Sequence, residues 1–271
     1  MSRSSASLAF APMQVGLIGA GNMARAMARG WGDPVLCSDS GSGRAQALVE
    51  ELGGEALSNR ELAERADLIV LCHKPYQLAQ VAAEIAELAK PVVSVLGGTP
   101  TVQVQGEYRN SPVFKLMPNT PVEVRRGVIV YAERDPDPSF VLDPALESQV
   151  LELFGRLGTV VTLPERLLEV AAALTSVGPA YQALLAEAQV DAGVRHGIAA
   201  PLAGRLVVET AAGAAELLAS RGYDTLTVRR EVTSPGGSTA RGLDALERAG
   251  IRSAFQDAID AVVRPPNRDA R

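Results

Sequence analysis

The chain has 271 residues, 47% of them hydrophobic and 21% charged, with a formal net charge of −5. That length and apolar content suffice for one large domain or two modest ones and exclude a wholly disordered chain. The acidic balance argues against a nucleic-acid binder, which needs a concentrated basic surface to meet phosphate.

Residues 1–12 are rich in Ser and Ala and have neither a sustained apolar segment nor a cationic start, so they read as a loose tail rather than a secretion signal. From Gln14 the pattern is strand (15–18), glycine turn, helix (22–30) and strand (34–37), a βαβ unit. A helix over 43–52, a strand over 68–72, a helix over 78–89 and a strand over 92–96 continue the rhythm. Apolar segments follow at 113–116 and 128–132. Short, continuously apolar strands alternating with helices predict a mostly parallel sheet covered on both faces, a doubly wound, Rossmann-type α/β domain.

After a helix over 145–154 and a last strand over 159–163, nothing beyond Pro164 suggests a sheet. Helices are expected over 164–174, 179–193, 201–220 and 238–263, the last interrupted at Gly250. Pro and Gly at 178–179, 197, 201 and 235–237 mark their ends. The expected organisation is therefore a tail (1–12), a dinucleotide-binding domain (13–163) and an all-helical domain (164–271). The stretch 202–218 is so rich in Ala, Val and Leu that about a hundred residues cannot bury it alone. A second subunit would cover it, or else the sheet domain of the same chain. No apolar run reaches the ~20 residues of a transmembrane helix, so a soluble, membrane-free protein is expected. Cys37 and Cys72 are the only cysteines; both fall in apolar strands, which suits reduced thiols and a cytoplasmic location.

Gly19-Ala20-Gly21-Asn22-Met23-Ala24 follows a predicted strand and opens a predicted helix. In this G-x-G-x-x-A pattern Gly19 makes the tight turn and Gly21 lets the backbone approach a pyrophosphate. The small Ala24 allows close helix–strand packing, and the helix start at Asn22 and Met23 faces the phosphates. Asp39, twenty residues on at the end of the second strand, is placed to accept hydrogen bonds from an adenosine ribose, which favours NAD. Ser38, Ser40, Ser42 and Arg44 around it can equally serve a 2′-phosphate, so NADP stays open. Asp39 also reads as a turn or helix-capping residue.

Three further segments join Pro, Gly and polar groups: Cys72-His73-Lys74-Pro75, Lys115-Leu116-Met117-Pro118-Asn119-Thr120-Pro121, and Val232-Thr233-Ser234-Pro235-Gly236-Gly237-Ser238-Thr239. The first two fall at carboxyl ends of strands, where doubly wound sheets bind ligands. The third presents backbone N–H groups and hydroxyls at a helix start, suited to a carboxylate.

With Gly178-Pro179-Ala180-Tyr181 and Asp191-Ala192-Gly193-Val194 added, these motifs in this order resemble the pyrroline-5-carboxylate reductase family over almost the whole chain. The resemblance implies NADPH- or NADH-dependent reduction of the cyclic imine 1-pyrroline-5-carboxylate to L-proline. It implies that Lys74 and Asn119, with Pro75 and Pro118 beside them, line the nicotinamide side of the cofactor cleft. Ser234, Pro235, Gly236, Gly237, Ser238 and Thr239 would hold the substrate carboxylate, with Val177 and Gly178 beside them and the Thr239 hydroxyl serving the ring nitrogen. It further implies a homodimer through the helical domain, assembled into larger rings such as a decamer. No metal is required.

The chain departs from the family at Thr175-Ser176-Val177, where relatives usually read Ser-Gly-Ser or Ser-Gly-Cys, and at Val95-Leu96-Gly97-Gly98-Thr99, usually alanine-rich. Arg229-Arg230-Glu231 stands where an acidic residue is common. Two further readings stay open at this point: a reductase of another cyclic imino acid, and a non-catalytic dinucleotide-binding relative. His73, in a place usually aliphatic, reads as a core histidine; His196 reads as a helix C-terminal residue; Tyr181 reads as helix packing. The only two histidines and two distant cysteines give no zinc-ligand spacing.

Overall fold

The computed structural model describes residues 13–133 and 143–263; the expected tail, 1–12, lies outside the described residues. The chain divides into two compact units, Met1–Ser176 and Val177–Arg271.

The first unit is built on eight strands: β1 (Val15–Ile18), β2 (Val35–Ser38), β3 (Gly54–Ala56), β4 (Leu68–Leu71), β5 (Val92–Ser94), β6 (Val113–Met117), β7 (Gly127–Glu133) and β8 (Gly158–Pro164). Their order across the sheet is β3-β2-β1-β4-β5-β6-β7-β8. The first six strands are mutually parallel, β7 pairs antiparallel with β6 through Leu116 and Tyr131, and β8 pairs parallel with β7. The helices are α1 (Asn22–Trp31), α2 (Arg44–Leu52), α3 (Asn59–Arg65), α4 (Leu78–Ile85), α5 (Thr101–Glu107), α6 (Pro144–Gly155) and α7 (Leu168–Thr175). The expected sheet domain is therefore present, with two strands of opposite direction at one edge.

The apolar runs of β1 and β4 are buried on both faces, as a parallel sheet covered by helices requires. Period-2 alternation splits them between two cores. Leu17 and Val70 join Met27, Phe114 and Phe154 on one side, whereas Ile18 and Ile69 join Leu62, Ile85 and Tyr108 on the other. Trp31 fixes α1 against α6: its ring meets Phe154 edge-on at 5.5 Å and its indole N–H donates to the Leu153 carbonyl at 3.0 Å. The sheet ends at Pro164, yet the compact unit runs on to Ser176 because α7 buries Leu168 and Ala171 against Val130 and Ala132 of β7.

The second unit contains α8 (Gly178–Arg195), α9 (Ala200–Ser220), α10 (Thr225–Glu231), α11 (Ser238–Arg248) and α12 (Ile251–Val263). Gly250, at φ +76°, breaks the last pair where the sequence predicted. Tyr181 packs edge-on to Phe255 at 6.1 Å, and Gly193 of α8 lies against Ala203 of α9. Ala203 is the single buried hydrophobic residue among the described residues of this unit; Leu184, Leu202, Leu206 and Val208 are exposed. Among the described residues no helix is long and apolar enough to cross a membrane.

Candidate functional site

At the carboxyl ends of β1, β2 and β4 the first unit opens a cleft of about 730 Å³. It lies where the strand order reverses, between β1 and β4, the switch point at which open α/β sheets bind ligands. The glycine turn Gly19-Ala20-Gly21, with Asn22 and Met23, forms its floor. Gly19 adopts φ +103°, and a Cβ there would meet the His73 backbone nitrogen at 2.7 Å, so only glycine lets the turn lie against the end of β4. A Cβ on Gly21 would project into open space. Gly21 is the N-cap of α1 and supplies no side-chain hydrogen bond, which leaves the first N–H groups of that helix to an anion. These features fit the pyrophosphate of a dinucleotide.

The far wall is the loop after β2. Asp39 accepts from the backbone N–H of Gly41 (2.8 Å), Ser42 (3.2 Å) and Ala45 (2.9 Å), and from the Ser42 hydroxyl (2.8 Å). A carboxylate offers about four acceptor positions, so all of Asp39's capacity is engaged in shaping this loop and the start of α2. Burial pushes its pKa up, but the hydrogen bonds from Ala45, Ser42, Gly41 and Arg44 outweigh it and hold the carboxyl at about 2. Of the two readings given for Asp39, the geometry supports the turn residue. Ser40, Ser42 and Arg44 line the cleft beside it, as do Ser58, Asn59, Tyr76, Gln77, Gln80 and Glu84.

The remaining residues expected on the cofactor side separate into two groups. Lys74 lines the cleft, and Pro75 follows it as the first residue of the 3₁₀ turn Pro75–Gln77. Ser38 is buried behind the wall, where its carbonyl accepts from the Gly19 N–H and its hydroxyl donates to Asn59. Asn119 is buried and doubly engaged: its amide donates to the Thr175 carbonyl at 3.0 Å and accepts from the Val128 N–H at 2.8 Å. Its side chain thus ties the turn after Pro118 to β7 and the end of α7. Neither Asn119 nor Pro118 is among the cleft's lining residues.

His73 stands just past β4, half-buried. Its Nδ1 contacts the Lys74 carbonyl at 2.9 Å, and burial pushes its pKa below the ordinary value while that backbone bond opposes the fall. Cys72 and Cys37 are free thiols; burial pushes both pKa values up, that of Cys37 to about 12, which makes them poor nucleophiles. His196 caps the C-terminus of α8.

In the second unit, Ser234 to Gly237 form a tight turn closed by the Gly237 N–H on the Ser234 carbonyl at 3.1 Å. Pro235 and Gly236 (φ +68°) occupy its centre, the residue choice of a type II turn. A Cβ on Gly237 would fall 2.4 Å from Ser234 Oγ, so any side chain there would turn that hydroxyl out of its place. It is also the N-cap of α11 and makes no side-chain cap, so the amides of Ser238 and Thr239 are available. Arg241 donates to the Gly236 carbonyl at 2.8 Å and braces the turn from within α11. Val177 immediately precedes α8, and its carbonyl accepts from the Ala180 N–H; Gly178 opens that helix.

Two of these segments also match known families. Residues 165–267 match the family model described as pyrroline-5-carboxylate reductase dimerisation. Residues 14–98 match that described as NADP oxidoreductase, coenzyme F420-dependent. A pyrroline-5-carboxylate reductase of Synechocystis is 33% identical over 76% of this chain and 76% of its own. That of Pseudomonas aeruginosa is 31% identical over 92% and 93%. Among solved structures, the Plasmodium falciparum pyrroline carboxylate reductase with NADP bound superposes with a TM-score of 0.80 at 25% identity, covering 93% of this chain and 95% of that one. The Coxiella burnetii enzyme gives 0.81 at 28% identity, with coverage of 93% and 96%. The motifs, the fold and these likenesses agree: the chain belongs to the pyrroline-5-carboxylate reductase family.

Proposed function

We propose that this protein reduces 1-pyrroline-5-carboxylate to L-proline with hydride from a reduced nicotinamide dinucleotide. The observation that carries the reading is the uncapped start of α11 behind the Ser234–Gly237 turn, in a chain whose other unit holds an uncapped glycine turn facing a dinucleotide-sized cleft. The first suits a small carboxylate and the second a pyrophosphate.

In this reading the amides and hydroxyls of Ser234 to Thr239 hold the substrate carboxylate, and Val177 and Gly178 lie on the substrate side. The Thr239 hydroxyl donates to the ring nitrogen as its basicity rises. Gly19, Gly21, Asn22 and Met23 bind the pyrophosphate, and Lys74, Pro75, Pro118 and Asn119 shape the nicotinamide side. The bound cofactor supplies the hydride. The protein's own contribution is placement, since holding the reacting carbons within ~3–3.5 Å accounts for most of the rate. Because Asp39 is fully engaged by its loop, the Ser42 hydroxyl included, Ser40 and Arg44 are the groups that meet the adenosine end, which favours NADPH over NADH. The helical unit pairs two copies through its exposed apolar face, and the reduced thiols suit the cytoplasm.

Purified protein oxidises NADPH when the imine is added and not before, and Thr239→Ala lowers kcat about 100-fold, the scale of one acid–base contribution. Saturating imine without turnover overturns the reading. A panel of larger cyclic imino acids in the same assay tests the second reading, which Val177 motivates: turnover confined to those would replace the proline precursor as substrate.

A further inference from the structure

The loop that follows β5 is held at both ends by side chains that the reaction itself does not use, Lys115 buried and Glu165 half-buried. At its entry Lys115 of β6, fully buried, donates through Nζ to the Leu96 carbonyl. Lys115 is the strand partner of Ser94, the last residue of β5, so its side chain reaches just past the strand's end. At the exit, α5 begins after Pro100, which cannot cap it. The cap comes instead from Glu165, in the turn after β8, whose carboxylate accepts from the Thr101 N–H at 2.6 Å. Such a carboxylate both satisfies an orphan donor and favours the positive end of the helix.

Between these pins the chain exposes Gly97 and Gly98. Gly98 takes φ +67°, and a Cβ on either glycine would meet nothing within 4 Å. The pair lies in a turn with no side-chain packing around it, and glycines retain more backbone freedom than any other residues. They lie at the carboxyl end of a parallel strand, two strands from the switch point, on the edge of the sheet where this fold binds ligands.

We propose that Lys115 and Glu165 are positioning residues for hydride transfer, fixing the Gly97–Gly98 backbone as part of the surface that orients the nicotinamide half of the cofactor. This rests on the reductase reading above. The two side chains are also electrostatically joined. Burial lowers the pKa of Lys115 to about 8, opposed by the charge on Glu165. The ammonium is thus mostly charged at neutral pH and discharges just above it, which weakens its hold on the Leu96 carbonyl.

The test compares wild type, Lys115→Met, Lys115→Arg and Glu165→Gln in imine reduction with NADPH from pH 6 to 9.5, with hydrogen exchange of residues 96–101 in the cofactor-free protein. Lys115→Met is expected to lower kcat at least 10-fold, with the Kd for NADPH changed less than 3-fold, and Lys115→Arg to recover most of kcat by restoring the donor. Wild-type kcat falls above about pH 8. Glu165→Gln keeps an acceptor for Thr101 but removes the charge that supports the ammonium, so its alkaline limb moves to lower pH. Exchange of the Leu96 amide, which donates to Ser94 Oγ, quickens at least 10-fold in Lys115→Met, and that of the Thr101 amide, which donates to Glu165, quickens measurably in Glu165→Gln. Wild-type kcat in Lys115→Met, or a Glu165→Gln profile superimposable on wild type, overturns the positioning role. If no form turns over imine, the reductase reading fails, and unchanged exchange in both variants then overturns the clamp by itself.

Discussion

The two units of this chain solve the problem of burial differently. The sheet unit buries Leu17, Met27, Phe114 and Phe154 completely on one face of its sheet and Leu62 and Leu71 on the other. The helical unit, taken by itself, buries only Ala203 among its described hydrophobic residues, and Leu206 and Val208 of α9 remain 51% and 59% exposed. An isolated soluble fold rarely leaves so much of an apolar helix in water. The sheet unit thus contains its own driving force for folding, whereas the helical unit is built for a surface beyond itself, consistent with its match to a dimerisation domain.

The largest expected effect breaks that asymmetry. Leu206→Glu places a charge on the exposed face of α9, and burying it unpaired in an interface is prohibitive. The variant should elute as a monomer at micromolar concentration, with loss of helical signal at lower temperature. Val102→Glu is the control, since Val102 is more exposed still but lies in the sheet unit; it should leave assembly unchanged. A dimeric Leu206→Glu would remove α9 from the interface.

The second comparison is between two glycine turns. At Gly19 a methyl group collides with the backbone of Cys72 and His73 at 2.7–2.8 Å and the residue sits at φ +103°. Gly19→Ala should cost about 3 kcal/mol of overpacking and backbone strain, which corresponds to a fall in Tm of roughly 6–12 °C for a unit of this size, and it should abolish NADPH binding. At Gly236, φ is +68° but the space is open. Gly236→Ala should cost only about 1 kcal/mol and should spare NADPH binding. Equal effects at the two positions would show that the collision at Gly19 is relieved by a shift of the β4 end.

What the sequence disclosed follows the same division. The glycine turn and the break at Gly250 were legible because each depends on a backbone conformation that few residues adopt, and the strands flanking the turn because they are short, continuously apolar runs. α3 escaped notice although Ser58 and Glu61 form its capping box, because seven residues are too few to show a helical period. β3 is three residues long and largely exposed, so it carries no apolar run. The roles of Asn119 and Lys115 were not legible at all. Asn119 stands in a motif shared with the family, yet its amide is used up on Thr175 and Val128, fifty-six and nine residues away. Lys115 reads as a polar interruption in a strand until Leu96 is brought beside it.

Asp39 is the smallest effect and the sharpest discrimination. Its spacing from Gly19 permitted either a ribose ligand or a turn residue, and these differ in what its removal does. As the anchor of residues 40–45, Asp39 contributes stability that is present above the carboxyl's unperturbed pKa of 3.8 and is lost as pH falls toward about 2. The group is partly exposed, so solvent screening reduces that contribution. Asp39→Ala should therefore leave Tm at pH 7 nearly unchanged while freeing Ser40, Ser42 and Arg44 from their fixed places. Since a loosened loop must be reordered around a 2′-phosphate but not around a bare ribose, kcat/KM with NADPH should fall about 3- to 10-fold and that with NADH much less. A loss confined to NADH would mean that the carboxylate abandons its loop to meet the ribose, and the four hydrogen bonds it makes would then belong only to the cofactor-free protein.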